Sequence, residues 1–393
     1  MSQQPINHSN DLKKLRDDGF DIIIQSNYLV IRNVPYVNSN REIMYGTLVS
    51  DLKLAGNITT KPDTHVIHFD GEYPCNKDGL EIKEIKHQSS PKNLGDGLTV
   101  HHSFSSKPQG GYSDYYDKVR TYVAIISNPA QSIDPNVTAR TFPVIEADES
   151  ETIFNYIDTS SSRANIHAVS KKLELSKISI VGLGGTGAYI LDLVAKTPVK
   201  KIHIFDGDTF SQHNAFRAPG APSLVNLRKQ LPKVTYYKNI YSKMHKGIIE
   251  HDVFIDASNV QLLQDMAFVF LCLDKGEVKR IIVQKLEEHG VPFIDVGMGV
   301  ELVDETLIGI LRITTSTKKK RDHVLNHHRI SFSDGDENNE YSKNIQIADL
   351  NALNAALAVI KWKKLLGFYG DLENEFHSLY TIDGNTLTNE DHL

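Results

Sequence analysis

The stretch VGLGGTG at 181–187 constrains this 393-residue chain more than any other, because its glycines have the spacing of a strand-to-helix turn. The apolar run KISI (177–180) precedes it and predicts a buried strand, and GTGAYILDLVAK continues from it and predicts a helix. Gly182 permits the tight turn, Gly184 leaves room for a phosphate, and Gly187 lets the helix pack close to the sheet. The stretch therefore predicts a nucleotide phosphate at a helix N-terminus.

Beyond about residue 165 the sequence alternates between apolar strand-like runs and amphipathic helical segments. The runs KISIVG, KKIHIFDGD, HDVFIDA, AFVFLCLD, VPFIDVGM and LIGILRITT predict strands. PKVTYYKNIYSKM, NVQLLQDM, EVKRIIVQKLEEHG and NIQIADLNALNAALAVIKWKKLLG predict helices, and HSLYTIDGNTLT predicts a hairpin. Such alternation is typical of βαβ units, so we predict an α/β fold with a Rossmann-like, mostly parallel sheet for residues 163–393.

The first part of the chain lacks this alternation. The pieces NYLVIRNV, GTLVSDLKLAG, THVIHF and TYVAII are rich in β-forming residues and are separated by Gly, Pro, Asn and Ser clusters. We predict an α+β accessory domain for residues 1–162. The boundary is placed in the polar, Ser-rich stretch ADESETIFNYIDTSSSRANI at 147–166.

Composition excludes several classes of protein. The hydrophobic share of 40% and charged share of 23% are ordinary for a globular chain, and the net charge of −6 does not favour nucleic-acid or membrane binding. We expect no secretory signal in the polar start, and the apolar run MAFVFLCL (266–273) is too short to span a bilayer. With only two cysteines, a disulfide framework is excluded. We expect a cytoplasmic protein.

An acidic residue follows the second predicted strand of this region. Asp206 lies 19 residues after Gly187, where a carboxylate accepts hydrogen bonds from ribose hydroxyls. The glycine loop with Asp206 fits either a nicotinamide enzyme or an enzyme that uses ATP.

The residues beyond Asp206 carry a resemblance to a family. Asp206-Gly207-Asp208 is followed by Asn214-Ala215-Phe216-Arg217, then by Pro232-Lys233 at the start of a predicted helix, and then by Cys272-Leu273-Asp274 after a predicted strand. In this order and spacing the region resembles the ThiF/MoeB/HesA-type adenylyltransferases, which share their fold with ubiquitin-activating enzymes. The N-terminal part resembles the accessory domains found in bacterial ubiquitin-like conjugation systems, some of which are similar to ubiquitin-conjugating enzymes.

The resemblance implies a role for each matched residue. Arg217 clamps a triphosphate, Lys233 places a charge on the phosphates with Lys229 as a rival, and Asp274 holds Mg²⁺. Asn214 bonds the phosphate or ribose region and Asp206 the ribose. The implied nucleotide-binding set also contains the loop glycines and two further residues, namely Gly182, Gly184, Gly185, Gly187, Asp208 and Arg163, the last reaching across a dimer. For Asp274, a capping role at the following helix stays open.

The family's usual cysteines are missing. The region 312–345, where relatives carry a catalytic cysteine or zinc ligands, contains none, so we expect no structural zinc. Its segment KKKRDHVLNHHR would lie over the site, and His323 and His327 are more consistent with solvated histidines than with a metal site. Cys75 is a candidate for a thioester, with an incidental cysteine as the alternative, while Cys272 is interpreted as structural.

The resemblance implies ATP- and Mg²⁺-dependent adenylation of the C-terminal carboxylate of a partner protein. The implied partner is a ubiquitin-like or sulfur-carrier β-grasp protein with a Gly-Gly-type end, and the implied assembly is a homodimer. The helix NIQIADLNALNAALAVIKW fits either a dimer interface or the core. Two alternatives stay open: an NAD-dependent oxidoreductase, and a nucleotide-binding scaffold without turnover.

Overall fold

The computed structural model describes residues 4–147, 152–332 and 345–393, and they form two compact units. The first unit contains residues 4–147 and 156–165, and the second contains residues 152–155, 166–332 and 345–393.

An antiparallel sheet organises the first unit. Its strand order is β1-β2-β3-β6-β8-β7, and every neighbouring pair is antiparallel. The core lies between this sheet and two helices, α2 and α3. The elements are α1 (Gln4–His8), α2 (Asn10–Asp17), β1 (Asp21–Gln25), β2 (Tyr28–Val37), β3 (Ile43–Asp51), β4 (Leu54–Ala55), β5 (Ile58–Thr59), β6 (Val66–Asp70), a 3₁₀ turn (Lys83–Ile85), β7 (Lys86–Asn93), β8 (Thr99–Ser105), α3 (Tyr115–Ile133) and α4 (Thr159–Arg163).

One prediction for this unit is wrong, because TYVAII (121–126) is part of helix α3 and not a strand. The Asp114 carboxylate caps the helix by accepting the Asp117 backbone N–H at 2.8 Å. Buried side chains then recur at helical spacing over almost the whole length of α3. The long periodic pattern outweighs the local β propensity of six residues. Its buried apolar members are Tyr115, Val119, Tyr122, Ile126 and Ala130.

The second unit is built on an eight-stranded sheet with the order β11-β10-β9-β12-β13-β14-β15-β16. The first five strands are parallel, and each of the last three is antiparallel to the strand before it in the sheet. The strands are β9 (Ile178–Val181), β10 (Ile202–Phe205), β11 (Ile248–His251), β12 (Phe268–Leu271), β13 (Phe293–Val303), β14 (Thr306–Ser316), β15 (His377–Thr381) and β16 (Thr386–Glu390).

Helices cover both faces of the parallel part, so the predicted α/β fold class is confirmed. Chain order reverses between β9 and its neighbours β10 and β12, which is where open α/β sheets bind ligands. The helices are α5 (His167–Ser170), α6 (Gly185–Val194), α7 (Gln212–Ala215), α8 (Leu224–Arg228), α9 (Lys233–Tyr241), α10 (Gly276–Glu288), α11 (Asp322–Asn326) and α12 (Ala348–Leu365), with 3₁₀ turns at Lys171–Leu173 and Val260–Leu263.

Four details of this unit bear on the prediction. Strand β11 ends at His251, so most of HDVFIDA lies after the strand, and NVQLLQDM contains only a 3₁₀ turn. Strands β13 and β14 form a hairpin whose turn residues, Asp304 and Glu305, both have positive φ (47° and 62°). The C-terminal hairpin predicted from HSLYTIDGNTLT is confirmed as β15–β16.

Helix α12 supplies core and not only surface. Its residues Ala355, Ala358 and Trp362 join the same apolar cluster as Ile190 and Leu191 of α6. The core interpretation of this helix is therefore confirmed. No helix among residues 4–147, 152–332 and 345–393 is long and apolar enough to cross a membrane.

Candidate functional site

The glycine loop between β9 and α6 has the tight geometry that its sequence predicts. Gly182 has a φ of +92°, and a Cβ there would lie 2.6 Å from the Cys272 carbonyl oxygen. A Cβ on Gly187 would lie 1.9 Å from the carbonyl oxygen of Gly182, so the helix and the loop are in direct backbone contact. Gly184 is different, because its nearest neighbour would be Gln346 Oε1 at 3.9 Å. The loop thus closes tightly on the protein and stays open at Gly184.

Asp206 at the end of β10 ties this loop to the next strand. Its Oδ2 accepts the Leu183 backbone N–H at 2.7 Å, and its Oδ1 accepts the Asp208 backbone N–H at 2.8 Å. The residue is buried. The carboxylate therefore fixes the loop and the strand end relative to each other, in addition to the ribose contact that we predict for it.

Lys233 is the lysine that faces this acid. Its Nζ lies 2.7 Å from Asp208 Oδ2 and 3.5 Å from Asp206 Oδ1, and the residue is only 5% exposed. Its rival Lys229 is exposed and follows helix α8. Lys233 is the first residue of α9 and directly follows the Thr209–Pro232 bridge, which brings it to the strand end.

Arg217 and Asn214 lie on either side of the end of α7, but their settings differ. The Arg217 side chain lines the cavity described below, and its carbonyl oxygen accepts the Asn351 Nδ2 amide at 3.1 Å. Asn214 is buried and accepts the Ser211 backbone N–H through Oδ1 at 2.8 Å, which completes a capping box. In this structure Asn214 shapes the α7 turn, and its contact with a nucleotide stays a prediction.

Asp274 lies between β12 and α10 and is exposed at the same cavity. Helix α10 begins at Gly276, and its N-cap is Lys275, which makes no side-chain capping bond. Asp274 is thus placed one residue before the cap. The neighbouring Cys272 also lines the cavity, and burial raises the pKa of its thiol.

These side chains surround one cavity of about 770 Å³ at the carboxyl edge of the parallel strands. Eight residues of the predicted set line it, whereas Gly187 and Asn214 do not. Among residues 4–147, 152–332 and 345–393, no group of three or more His, Cys, Asp and Glu side chains is placed to hold a metal. The eight lining residues are Gly182, Gly184, Gly185, Asp206, Asp208, Arg217, Lys233 and Asp274.

The cavity also contains residues that the sequence did not indicate. Asn351 of α12 accepts the Thr186 hydroxyl at 2.9 Å through its Oδ1 and so holds the start of α6. A fully buried carboxylate, Asp295, pairs with Lys279 at 2.9 Å and with Arg312. Lys279 and Arg312 line the cavity, and two cations on one carboxylate leave this wall with a net positive charge. No local sequence motif indicates this ion-pair cluster, because Lys279, Asp295 and Arg312 come from three separate elements, α10, β13 and β14.

Two candidates lie in the first unit. Arg163 ends helix α4, and its guanidinium lies 5.3 Å from the centre of the Phe142 ring. Cys75 is 1% exposed and donates through Sγ to the Tyr73 carbonyl oxygen at 3.4 Å. Burial, together with the nearby carboxylates of Glu81 and Glu72, raises the pKa of the Cys75 thiol. This setting disfavours the thiolate that a thioester requires.

His323 and His327 have different surroundings, and the prediction of solvated side chains is wrong for His323, which is fully buried. His323 is buried against the Phe376 ring, and burial lowers its pKa. His327 pairs with Asp391 at 2.6 Å. Arg329 also pairs with Asp391, so this part of the segment at 318–329 is fixed to the C-terminal hairpin.

Comparison with known families identifies part of the chain. A ThiF family profile matches residues 160–304. Residues 160–304 are a ThiF family domain. A second profile, described only as a domain of unknown function (DUF6791), matches residues 10–159. The ThiF domain includes the glycine loop, β10 with Asp206, and Asp274, and it ends inside the β13–β14 hairpin.

Solved structures similar to this chain include E. coli MccB with succinimide, at 19% identity over 59% of this chain and 71% of that chain, with a TM-score of 0.46. E. coli MccB with ATP matches at 18% identity over 59% and 68%, with a TM-score of 0.43. Selenomethionine PaaA matches at 16% identity over 57% and 76%, with a TM-score of 0.43. No curated protein sequence matches the chain significantly.

Proposed function

We propose that the second unit uses ATP and Mg²⁺ to adenylate the C-terminal carboxylate of a small protein. The observation that carries the proposal is the meeting of the glycine loop with Asp206, Arg217, Lys233 and Asp274 around one cavity. A nicotinamide site explains the glycine loop and Asp206. It does not explain why Arg217, Lys233 and Asp274 lie beside them.

The residues present fit a triphosphate. Gly184 is open to the cavity at the start of the ten-residue helix α6, whose N-terminal amides and dipole favour a phosphate. The Arg217 side chain lines the cavity, and its buried Nε has no hydrogen-bond partner among the described residues, so the described protein does not use every donor of this guanidinium. A rigid guanidinium donor of this kind is suited to a phosphate oxygen.

Asp274 would hold Mg²⁺, which binds to one or two carboxylates together with phosphate oxygens. When bound, the ion neutralises charge on the phosphates of the nucleotide. Attack of a carboxylate on the α-phosphate joins two anions and breaks the bond to the β-phosphate, so that pyrophosphate leaves, and the protein contributes mainly alignment and positive charge. Arg217 supplies that charge directly. Lys233 supplies it by exchanging part of its contact with Asp208, which is exposed, for a phosphate.

For the partner, we propose a ubiquitin-like or sulfur-carrier β-grasp protein with a Gly-Gly-type end. The family's reaction consumes such a carboxylate, and the net positive wall at Lys279 and Arg312 favours an anion in the cavity. The first unit would recognise this partner or receive its activated end. A cytoplasmic location and a homodimer belong to the same proposal.

Pyrophosphate exchange into ATP tests the proposal. The full chain is expected to exchange label only with Mg²⁺ and a Gly-Gly-ended β-grasp protein present. Asp274→Ala should lower the rate at least about 100-fold in a protein that stays folded, because it removes the metal carboxylate. Asp265→Ala, which removes an exposed carboxylate outside the cavity, is the matched control.

Other outcomes point to the alternatives. Tight NAD binding without ATP binding would replace the proposal with an oxidoreductase. ATP binding without exchange in the presence of the partner would leave a scaffold. Unchanged exchange in Asp274→Ala would show that the metal carboxylate is elsewhere.

A further inference from the structure

Phe254 is a large apolar side chain that the structure leaves exposed inside the cavity. It is 57% exposed and lines the same space as the glycine loop. The apolar clusters on this side of the sheet contain its neighbour Ile255 but not Phe254. Core packing therefore does not account for where this ring lies.

The ring is placed next to the predicted ribose acid. A Cβ on Gly207 would lie 2.7 Å from two carbons of the Phe254 ring, so the ring rests on the backbone between Asp206 and Asp208. This contact follows from the topology, because Phe254 follows β11, which is the neighbour of β10 in the sheet. A base attached to a ribose at Asp206 would come within reach of the ring.

The segment that carries Phe254 is held in place by its own hydrogen bonds. The Phe254 carbonyl oxygen accepts the Asn259 Nδ2 amide at 2.8 Å, and Asn259 Oδ1 accepts the Asp256 backbone N–H at 2.9 Å. The Asp256 carboxylate in turn accepts both the backbone N–H and the hydroxyl of Ser258. An exposed ring on a fixed loop is preorganised for a flat partner.

One face of the ring is accessible from the cavity. The Lys275 ammonium lies over it at 5.5 Å from the centroid, and the Lys275 side chain is itself exposed and lines the cavity. A flexible lysine on this face can be displaced by a base, which gains a larger stacking contact. Val253, Leu273 and Val278 add apolar surface to the same cavity, in contrast to the cations Arg217 and Lys233.

We infer that Phe254 is the base-stacking residue of the nucleotide site and that the adenine of ATP packs on its ring. This inference rests on the proposed function. It adds a specificity-determining residue that the glycine loop and the family pattern do not contain.

Binding of three probes to the full chain tests it by calorimetry: ATP, CTP and inorganic tripolyphosphate. Phe254→Ala should lower the affinity for ATP about 10-fold or more, lower the affinity for CTP less, and leave the affinity for tripolyphosphate unchanged. The reason is that stacking depends on the base and not on the phosphates. Phe254→Trp should keep ATP binding. Tyr369→Ala, which removes a partly exposed aromatic outside the cavity, should change none of the three.

Two results would overturn the inference alone. One is wild-type ATP affinity in Phe254→Ala, and the other is an equal loss of ATP and tripolyphosphate, which would show that the ring only supports the loop. Absence of ATP binding by the folded wild-type protein would overturn the proposed function together with this inference.

Discussion

Lys118 of the first unit and Lys233 of the second are both buried, but their partners differ. The Lys118 ammonium is fully buried and donates to the Ser50 hydroxyl at 2.9 Å, whereas Lys233 contacts the carboxylates of Asp206 and Asp208. Burial lowers the pKa of Lys118 to about 8. Burying the Lys118 ammonium against a hydroxyl costs free energy, because the charge loses its hydration. The Lys233 ammonium is balanced by two carboxylates at a cavity, and we propose that it exchanges part of this contact for a ligand.

Among substitutions that should affect one unit and not the other, Gly182→Ala is expected to have the largest effect. The substitution forces a side chain into positive φ and against the Cys272 carbonyl oxygen, so we expect a loss of about 2–6 kcal/mol in the second unit. Gly184→Ala is the matched control, since its methyl group enters open space: stability should persist while ATP binding weakens.

Hydrogen exchange on the full chain separates the two units in this experiment. Protection should fall in the second unit of Gly182→Ala, and peptides of the first unit should keep theirs. Equal stability of the two alanine variants would contradict the close backbone contact at Gly182.

The two lysines give the next largest difference. Lys233→Met should cost the second unit about 3 kcal/mol, because it leaves the buried Asp206 carboxylate without its cation, and it should also weaken ATP binding. Lys118→Met should be neutral or stabilising, since it removes a desolvated charge that pairs with no carboxylate among the described residues.

Urea unfolding followed by exchange in each unit measures both changes. Lys229→Met, on an exposed site, is the control for the first variant. Destabilisation by Lys118→Met as large as that by Lys233→Met would remove the distinction between the two sites.

The same contrast shows what the sequence could predict. The glycine loop, Asp206, Arg217, Lys233 and Asp274 stand out in the sequence because each belongs to a short motif at a strand end. Lys279, Arg312 and Phe254 do not, because their partners are brought together only when α10, β13, β14 and β11 take their places. Motifs record local chemistry, whereas a cavity wall is assembled by the topology.

The fold shows the same limit. Strand–helix alternation predicted the parallel part of the sheet, because each βαβ unit is local in sequence. Apart from the C-terminal hairpin, the antiparallel pairing was not predicted, since an apolar strand such as β14 has the same pattern in either direction. In the first unit, the helical spacing of the buried residues is visible only over the whole 19-residue length of α3. The six residues TYVAII are too few to show this spacing.

The pH dependence should differ between the units. In the second unit, burial lowers the pKa of His203 and of His377 to about 4, and nearby charges add to this: His251 acts on His203, and Arg329 on His377. The unfolded chain takes up protons near pH 6.5 and the folded unit does not, so stability is lost as the pH falls from about 6.5 towards 4.

In the first unit, the stability should change with pH in the alkaline range. Lys118 loses its proton near pH 8 when folded and near 10.5 when unfolded, so rising pH should stabilise this unit by about 1–3 kcal/mol between pH 8 and 10. The gain should end near pH 10, where tyrosines with raised pKa, such as Tyr115, lose protons first in the unfolded chain. Hydrogen-exchange protection measured at pH 5, 7 and 9.5 checks the acid loss in the second unit and the alkaline gain in the first unit. If the alkaline gain is absent in Lys118→Met, the gain is due to Lys118.

The smallest effect is expected from Cys75→Ala, which should leave pyrophosphate exchange unchanged. Cys75 belongs to the first unit, and its thiol is buried with a raised pKa, so we expect it to have no part in forming the adenylate. For the same reason Ellman's reagent should react slowly with the native protein and quickly after unfolding. Rapid native labelling that disappears in Cys75→Ala would show that the cysteine becomes exposed, and the thioester role would then regain support. Loss of exchange itself in this variant would contradict the division of labour between the two units.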